Sequence, residues 1–177
     1  VENMSAMLRG FQYELKPMLR NLFQSEEFYS ARAMGNHIKS PVELMVGALR
    51  TLKIEKADFG AVDSTLTEMG QRLFEPPNVA GWPGGETWLS SSTFFGRLNF
   101  LDTVLFPAGR AAPIPGLQGA SSPEVLVDEA LKRLVDDNIS PESRESLYAH
   151  ARTVTNPQER AAAVAYLVLA SPEYQLI

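Results

Sequence analysis

Both tryptophans of the chain fall inside one fifteen-residue stretch, Phe74-Glu75-Pro76-Pro77-Asn78-Val79-Ala80-Gly81-Trp82-Pro83-Gly84-Gly85-Glu86-Thr87-Trp88, together with three prolines and three glycines. Two uses suit these residue types. In one, the glycines supply left-handed backbone, the prolines stiffen the path and the indoles anchor the loop to neighbouring helices. In the other, one indole keeps an accessible face and the loop recognises a partner protein or a sugar, with Glu86 beside it. Trp88, placed just before an aromatic-rich helix, is the expected anchor, and Trp82, between Gly81 and Pro83, the expected accessible ring. A phosphate cradle is disfavoured, because no Gly-Lys-Ser/Thr follows the glycines and no Gly-x-Gly-x-x-Gly spacing occurs.

A second set of residues could do acid-base or ionic chemistry: Lys39, Glu43, Glu86, Arg97 and Asp102. Three or more of them in one concave pocket would favour an enzyme, for example a hydrolase of cell-surface polymers completed by residues outside this chain. Dispersal would favour a binding module. Arg97, with five donors, is expected to tie the Trp loop through its carbonyls. The candidate binding residues are therefore Trp82, Trp88, Glu86, Arg97 and Lys39.

Little else suggests chemistry. The two histidines, His37 and His150, are far apart and the chain has no cysteine, so neither a transition metal nor another cofactor is expected. Neighbouring acids such as Glu26 and Glu27, or Asp136 and Asp137, diverge on a helix and read as solvated charge. Serines are plentiful, yet no nucleophile-elbow pattern selects one of them.

The elements that hold these residues read as helices throughout. Leu8, Phe11, Leu15, Met18 and Leu22 share a helical face, and Pro17 predicts a break near Tyr13 to Lys16. Ser40-Pro41-Val42-Glu43 is a capping box with proline at the first helical position, opening a helix to about Lys53 with core face Val42, Met45, Val46, Leu49 and Leu52. Ser64 to Leu73 reads as a second helix, with Leu66, Met69 and Leu73 inward. Ser91 or Ser92 caps a third, with Phe94, Phe95, Leu98, Leu101 and Leu105 on one face. Residues 107–122 are a Pro/Gly/Ala connection expected to be mobile. Ser122-Pro123, Ser140-Pro141 and Asn156-Pro157 start three more helices, the last apolar from Ala161 to Ala170 and so expected at the centre. No strand pattern appears. The fold class is all-α: one irregular multi-helix bundle of about six to seven helices with one long Pro/Gly/Trp loop.

Composition narrows the partners. With 177 residues, 45% hydrophobic and 21% charged, the chain is an ordinary globular sequence of single-domain size. A net charge of -5 without clustered Lys or Arg argues against nucleic acid. The longest apolar run is far short of a membrane span, so no transmembrane segment is expected.

The chain resembles the C-terminal part of the bacterial family catalogued as domain of unknown function 1800. The resemblance is carried by Phe23, Ser25, Glu27 and Phe28, by Ile38-Lys39-Ser40-Pro41-Val42-Glu43-Leu44 and by Gly47-Ala48-Leu49-Arg50. It continues in Met69-Gly70-Gln71, Leu73-Phe74, Pro76-Pro77-Asn78-Val79, Gly81-Trp82-Pro83-Gly84-Gly85, Trp88, Arg97-Leu98-Asn99-Phe100 and Leu167 to Tyr174. It implies a fragment lacking an N-terminal helical half, which would be a partner in the same protein, and a periplasmic or otherwise extracytoplasmic home. It carries no activity over to any residue, and the family's frequent neighbours, predicted sulfatase-like proteins, connect it to surface polysaccharide by association only. Apolar surface left open by a missing half is expected to promote self-association.

Overall fold

The computed structural model describes residues 2–30, 32–55 and 57–177, and they are all-α. Nine α-helices occur among the described residues, and the chain divides into two compact units, Val1–Asn36 and His37–Ile177.

Unit 1 holds α1 (Glu2–Gly10) and α2 (Leu15–Phe23). The expected break is present, slightly earlier than proline alone places it, with Gln12 and Tyr13 both at positive φ. The helix restarts at Leu15, so Pro17 falls in the first turn of α2, where its missing N–H needs no partner.

Unit 2 opens with α3 (Pro41–Thr51), whose capping box forms as expected: Ser40 Oγ accepts from the Glu43 N–H and the Glu43 carboxylate from the Ser40 N–H. Met45, Leu49 and Leu52 of the expected face are buried, but the buried face is turned so that Leu44 and Ala48 join them and Val46 is exposed. Next, α4 (Phe59–Glu68) starts on an Asp58 cap rather than at Ser64 and ends at the left-handed Gly70, so Leu66 and Met69 are buried and Leu73 is exposed. Helix α5 (Ser91–Leu105) is capped by Ser90. It turns Arg97, Phe100, Leu101 and Leu105 inward, so Leu101 and Leu105 of the expected face are core residues, while Phe94 and Leu98 are half-buried and Phe95 is exposed.

Three Pro-initiated helices follow with their caps in place: α6 (Pro123–Val135) on Ser122, α7 (Pro141–Thr153) on Ser140 and α8 (Pro157–Ala170) on Asn156. Helix α8 is central, packed by α5, α6, α7 and α9, with Ala161, Ala162, Val164, Ala165, Val168 and Leu169 fully buried. The apolar chain does not simply stop after Ala170, because Ser171-Pro172 restarts it as the short α9 (Pro172–Gln175). The connection between α5 and α6 is irregular, yet Ile114 and Leu117 are core residues, and Arg133 donates to the carbonyls of Thr51 and Pro115 to bind it to α3 and α6.

Candidate functional site

The Trp loop begins where α4 is pinned. Met69 packs closely against α5 at Gly96, where an added Cβ would lie 3.0 Å from the Met69 Cγ and force that side chain to shift. Two residues on, Gln71 Oε1 accepts the Val42 N–H at 2.9 Å and fixes the start of the loop to the first turn of α3. From there the backbone is largely exposed. Phe74 sits at φ 65 with 94% of its surface open, a left-handed conformation that bulky side chains rarely adopt. Asn78 folds the chain back by accepting the N–H groups of Ala80, through its side chain, and Gly81, through its carbonyl. Val79, at the tip of this turn, is fully exposed.

The far end of the loop is anchored. Gly84 and Gly85, both at positive φ, lead into a 3-10 turn, Gly85–Leu89, that lies against α5. Thr87 Oγ1 donates to the Gly84 carbonyl at 2.6 Å, and Thr93 Oγ1 to the Trp88 carbonyl at 3.0 Å. Trp88 is 5% exposed, and its indole edge lies over the bare face of Gly84. Trp82 is half-buried, with its Nε1 sealed from solvent and without a hydrogen-bond partner among the described residues. Glu86 is exposed.

Arg97 does not tie this loop. It is fully buried, and its fork donates to the Lys39 carbonyl at 2.7 Å through Nη2 and to Gln175 Oε1 at 2.9 Å through Nη1. The physical reason is the inward rotation of α5, which aims position 97 at the junction of the 37–40 segment and the end of α9. There the backbone pairs antiparallel: His37 and Ile177 exchange two N–H···O=C bonds, and the Lys39 N–H donates to the Gln175 carbonyl at 2.9 Å. Gln175 Nε2 returns to the Leu169 carbonyl. The result is a clasp held by one guanidinium.

Lys39 caps the clasp from outside. Its Nζ donates to the Tyr174 carbonyl at 2.6 Å and lies 3.6 Å from the centre of the Tyr174 ring, a cation-π contact. Burial pulls its pKa down to about 8, against the opposing pull of Glu43 and with a further push from Arg97. Burial also lowers Arg97 to about 10, still far enough above neutrality to keep it charged, and raises the Tyr174 hydroxyl to about 12. Glu43, despite the upward push of partial burial, is held below the usual carboxylate range by the Ser40 N–H and by His37, 3.2 Å away.

Of the five residues with ionic chemistry, Lys39, Glu43 and Arg97 therefore come together, while Glu86 stays on the exposed loop and Asp102 on the exposed side of α5. The three form a packed clasp, and none of them lines either of the two large cavities of unit 2. Tyr174 and Gln175, which complete the clasp, are missed by sequence reasoning; their only signal is the Ser-Pro-Glu-Tyr cap, which reads as a helix stop. Among the described residues, no group of three or more His, Asp or Glu side chains is placed to hold a metal, and no helix is long and apolar enough to cross a membrane.

A family model described as protein of unknown function (DUF1800) matches residues 1–176, and the chain belongs to that family. No curated protein and no solved structure matches it.

Proposed function

We propose that this DUF1800 member is a non-catalytic interaction module that docks a partner protein through the loop 71–89. One observation carries the reading: Phe74 is held in a costly left-handed conformation with its ring in water, and Val79, further along the same loop, is fully exposed, while the loop is fixed at both ends. Such backbone strain costs about 1–3 kcal/mol and persists where the surroundings impose it, most often at functional sites. Burying the two apolar tips in a partner pocket would contribute about 1.5–3 kcal/mol each. A protein partner fits better than a glycan. Sugar recognition needs an open ring face with free polar groups around it, whereas the Trp82 N–H is sealed and the Asn78 and Thr87 side chains already serve the loop itself. We place the module outside the cytoplasm on the family resemblance, and the lack of cysteine gives it no thiol to oxidise there.

The test replaces Phe74 with a photocrosslinking phenylalanine analogue in cells of the source organism and, in parallel, titrates the purified wild type with cell-surface polysaccharide. One discrete protein adduct, abolished by Val79→Asp, supports the proposal. Polysaccharide binding that is lost in Trp82→Ala would reassign the loop to glycan, and the absence of both adduct and binding would remove the interaction role.

A further inference from the structure

The surface at the start of the Trp loop pairs a projecting ring with a hole. Between α3 and α4 lies an apolar cavity of about 630 Å³, walled by Val46, Leu49, Phe59, Leu66 and Leu73. The residue after Leu73 is Phe74, whose ring is no part of that wall and stands almost wholly in water on left-handed backbone. Phe59, on the wall itself, is 75% exposed. A knob and a hole side by side on one molecule make a self-complementary patch. That is the property a two-fold pair requires, since each copy then gives its knob and takes its partner's.

Charge fits the same arrangement. The cavity is bordered by bases on the α3 side, Arg50 and Lys53, and by the acid Asp63 on α4, with Glu55 on the segment between the two helices. Phe74 is flanked by Arg72 and Glu75, which in the single chain neutralise each other at 2.7 Å. An inserted loop therefore brings an acid for Arg50 and a base for Asp63. Area fits as well. A phenylalanine buries roughly 150–250 Å², so Phe59 and Phe74 of both copies would together hide roughly 500–850 Å². The cavity walls, Val46 and the bordering charges add to this toward the roughly 1,200 Å² of a stable interface.

We infer that the protein docked by the Trp loop is a second copy of this chain, in a two-fold dimer in which each Phe74 enters the other copy's cavity between α3 and α4. The inference rests on the reading of 71–89 as a docking loop and adds the identity of the partner.

Sedimentation equilibrium of the purified chain tests it, in a Leu15→Glu background that removes association through unit 1. The expected species is a dimer. Phe74→Asn removes the ring but keeps a residue tolerant of left-handed backbone; it should weaken the dimer roughly a hundredfold or more, because two rings leave the interface. Glu75→Arg should weaken it severalfold, and adding Arg50→Glu should restore it. All three positions are exposed, and circular dichroism checks that the variants stay helical. Because the chain has no cysteine, a mixture of Phe74→Cys and Phe59→Cys chains treated with a short bis-maleimide should yield a linked pair holding one of each. A monomer at high concentration, a dimer indifferent to Phe74→Asn, or no mixed linked pair would overturn the assignment. The two readings fail separately. A photoadduct at position 74 with a protein other than this chain overturns the second copy and leaves the docking loop standing, whereas the absence of any adduct removes the docking loop and the dimer built on it.

Discussion

Replacing Arg97 with methionine tests the clasp while keeping most of the buried volume of the side chain. The substitution removes the donors at 2.7 Å to the Lys39 carbonyl and at 2.9 Å to Gln175 Oε1. A buried acceptor stripped of its donor costs about 1–3 kcal/mol. Two forces offset part of this: a buried guanidinium with no carboxylate partner no longer has to be desolvated, and Gln175 keeps its bond to Leu169. The net expectation is a loss of about 2 kcal/mol, read from urea denaturation midpoints at constant slope. Hydrogen exchange adds spatial detail, since the His37, Lys39 and Ile177 amides should lose protection well before the amides of α8. Arg97→Lys should recover only part of the loss, because an ammonium group cannot span both acceptors in the fork geometry. A methionine variant as stable as wild type, with unchanged exchange at 37–39 and 175–177, would refute the idea that Arg97 holds the clasp.

Three further outcomes are expected. Trp88→Ala should cost about 3–5 kcal/mol, the range for a fully buried large aromatic, and Trp82→Ala clearly less; acrylamide should quench the Trp82 emission of a Trp88→Phe variant more than the Trp88 emission of a Trp82→Phe variant. Stability should rise with pH from about 8 to 10, because the Lys39 ammonium titrates near 8 when folded and near 10.5 when unfolded, so the unfolded chain binds the extra proton across that window. Solvent screening of this half-buried group limits the rise to about 1–2 kcal/mol, and Lys39→Met, followed by urea titrations at each pH, should flatten it. Light scattering should show self-association that weakens on Leu15→Glu or Phe23→Glu, since unit 1 leaves Leu15, Leu19 and Phe23 exposed on α2.

Helix starts are legible in this chain because the chemistry that makes them is local. Ser40, Ser122, Ser140 and Asn156, each followed by proline, cap helices at the expected residues. Buried faces are less legible, because they depend on what the helix meets. Val46 and Leu73 carry the right spacing and end up exposed, while Leu44 and Ala48 are inside. The start of α4 escapes because Asp58, an N-cap with no acid in the first turn behind it, competes with the more familiar serine at 64. At the candidate site, the contrast between Trp88 and Trp82 follows from chain position, Trp88 preceding α5 directly. The partners of Arg97 do not, since they lie 58 and 78 residues away and one is a main-chain carbonyl, which no side-chain pattern reveals.

The clasp also sets the order in which unit 2 can be built. Lys39 and Tyr174 are separated by 135 residues, whereas every helix cap bonds within a few positions of itself. Helices can therefore form as they are synthesised, but closure of the unit waits for the 172–177 segment, and such long-range closure is the slow, entropically costly step of folding. At roughly 5–20 residues per second, the delay between the two halves of the clasp is on the order of ten seconds. For the later part of that interval the nascent chain carries the Arg97 guanidinium without its Gln175 acceptor, 78 residues further on, and arrival of the 172–177 segment times the compaction of the unit.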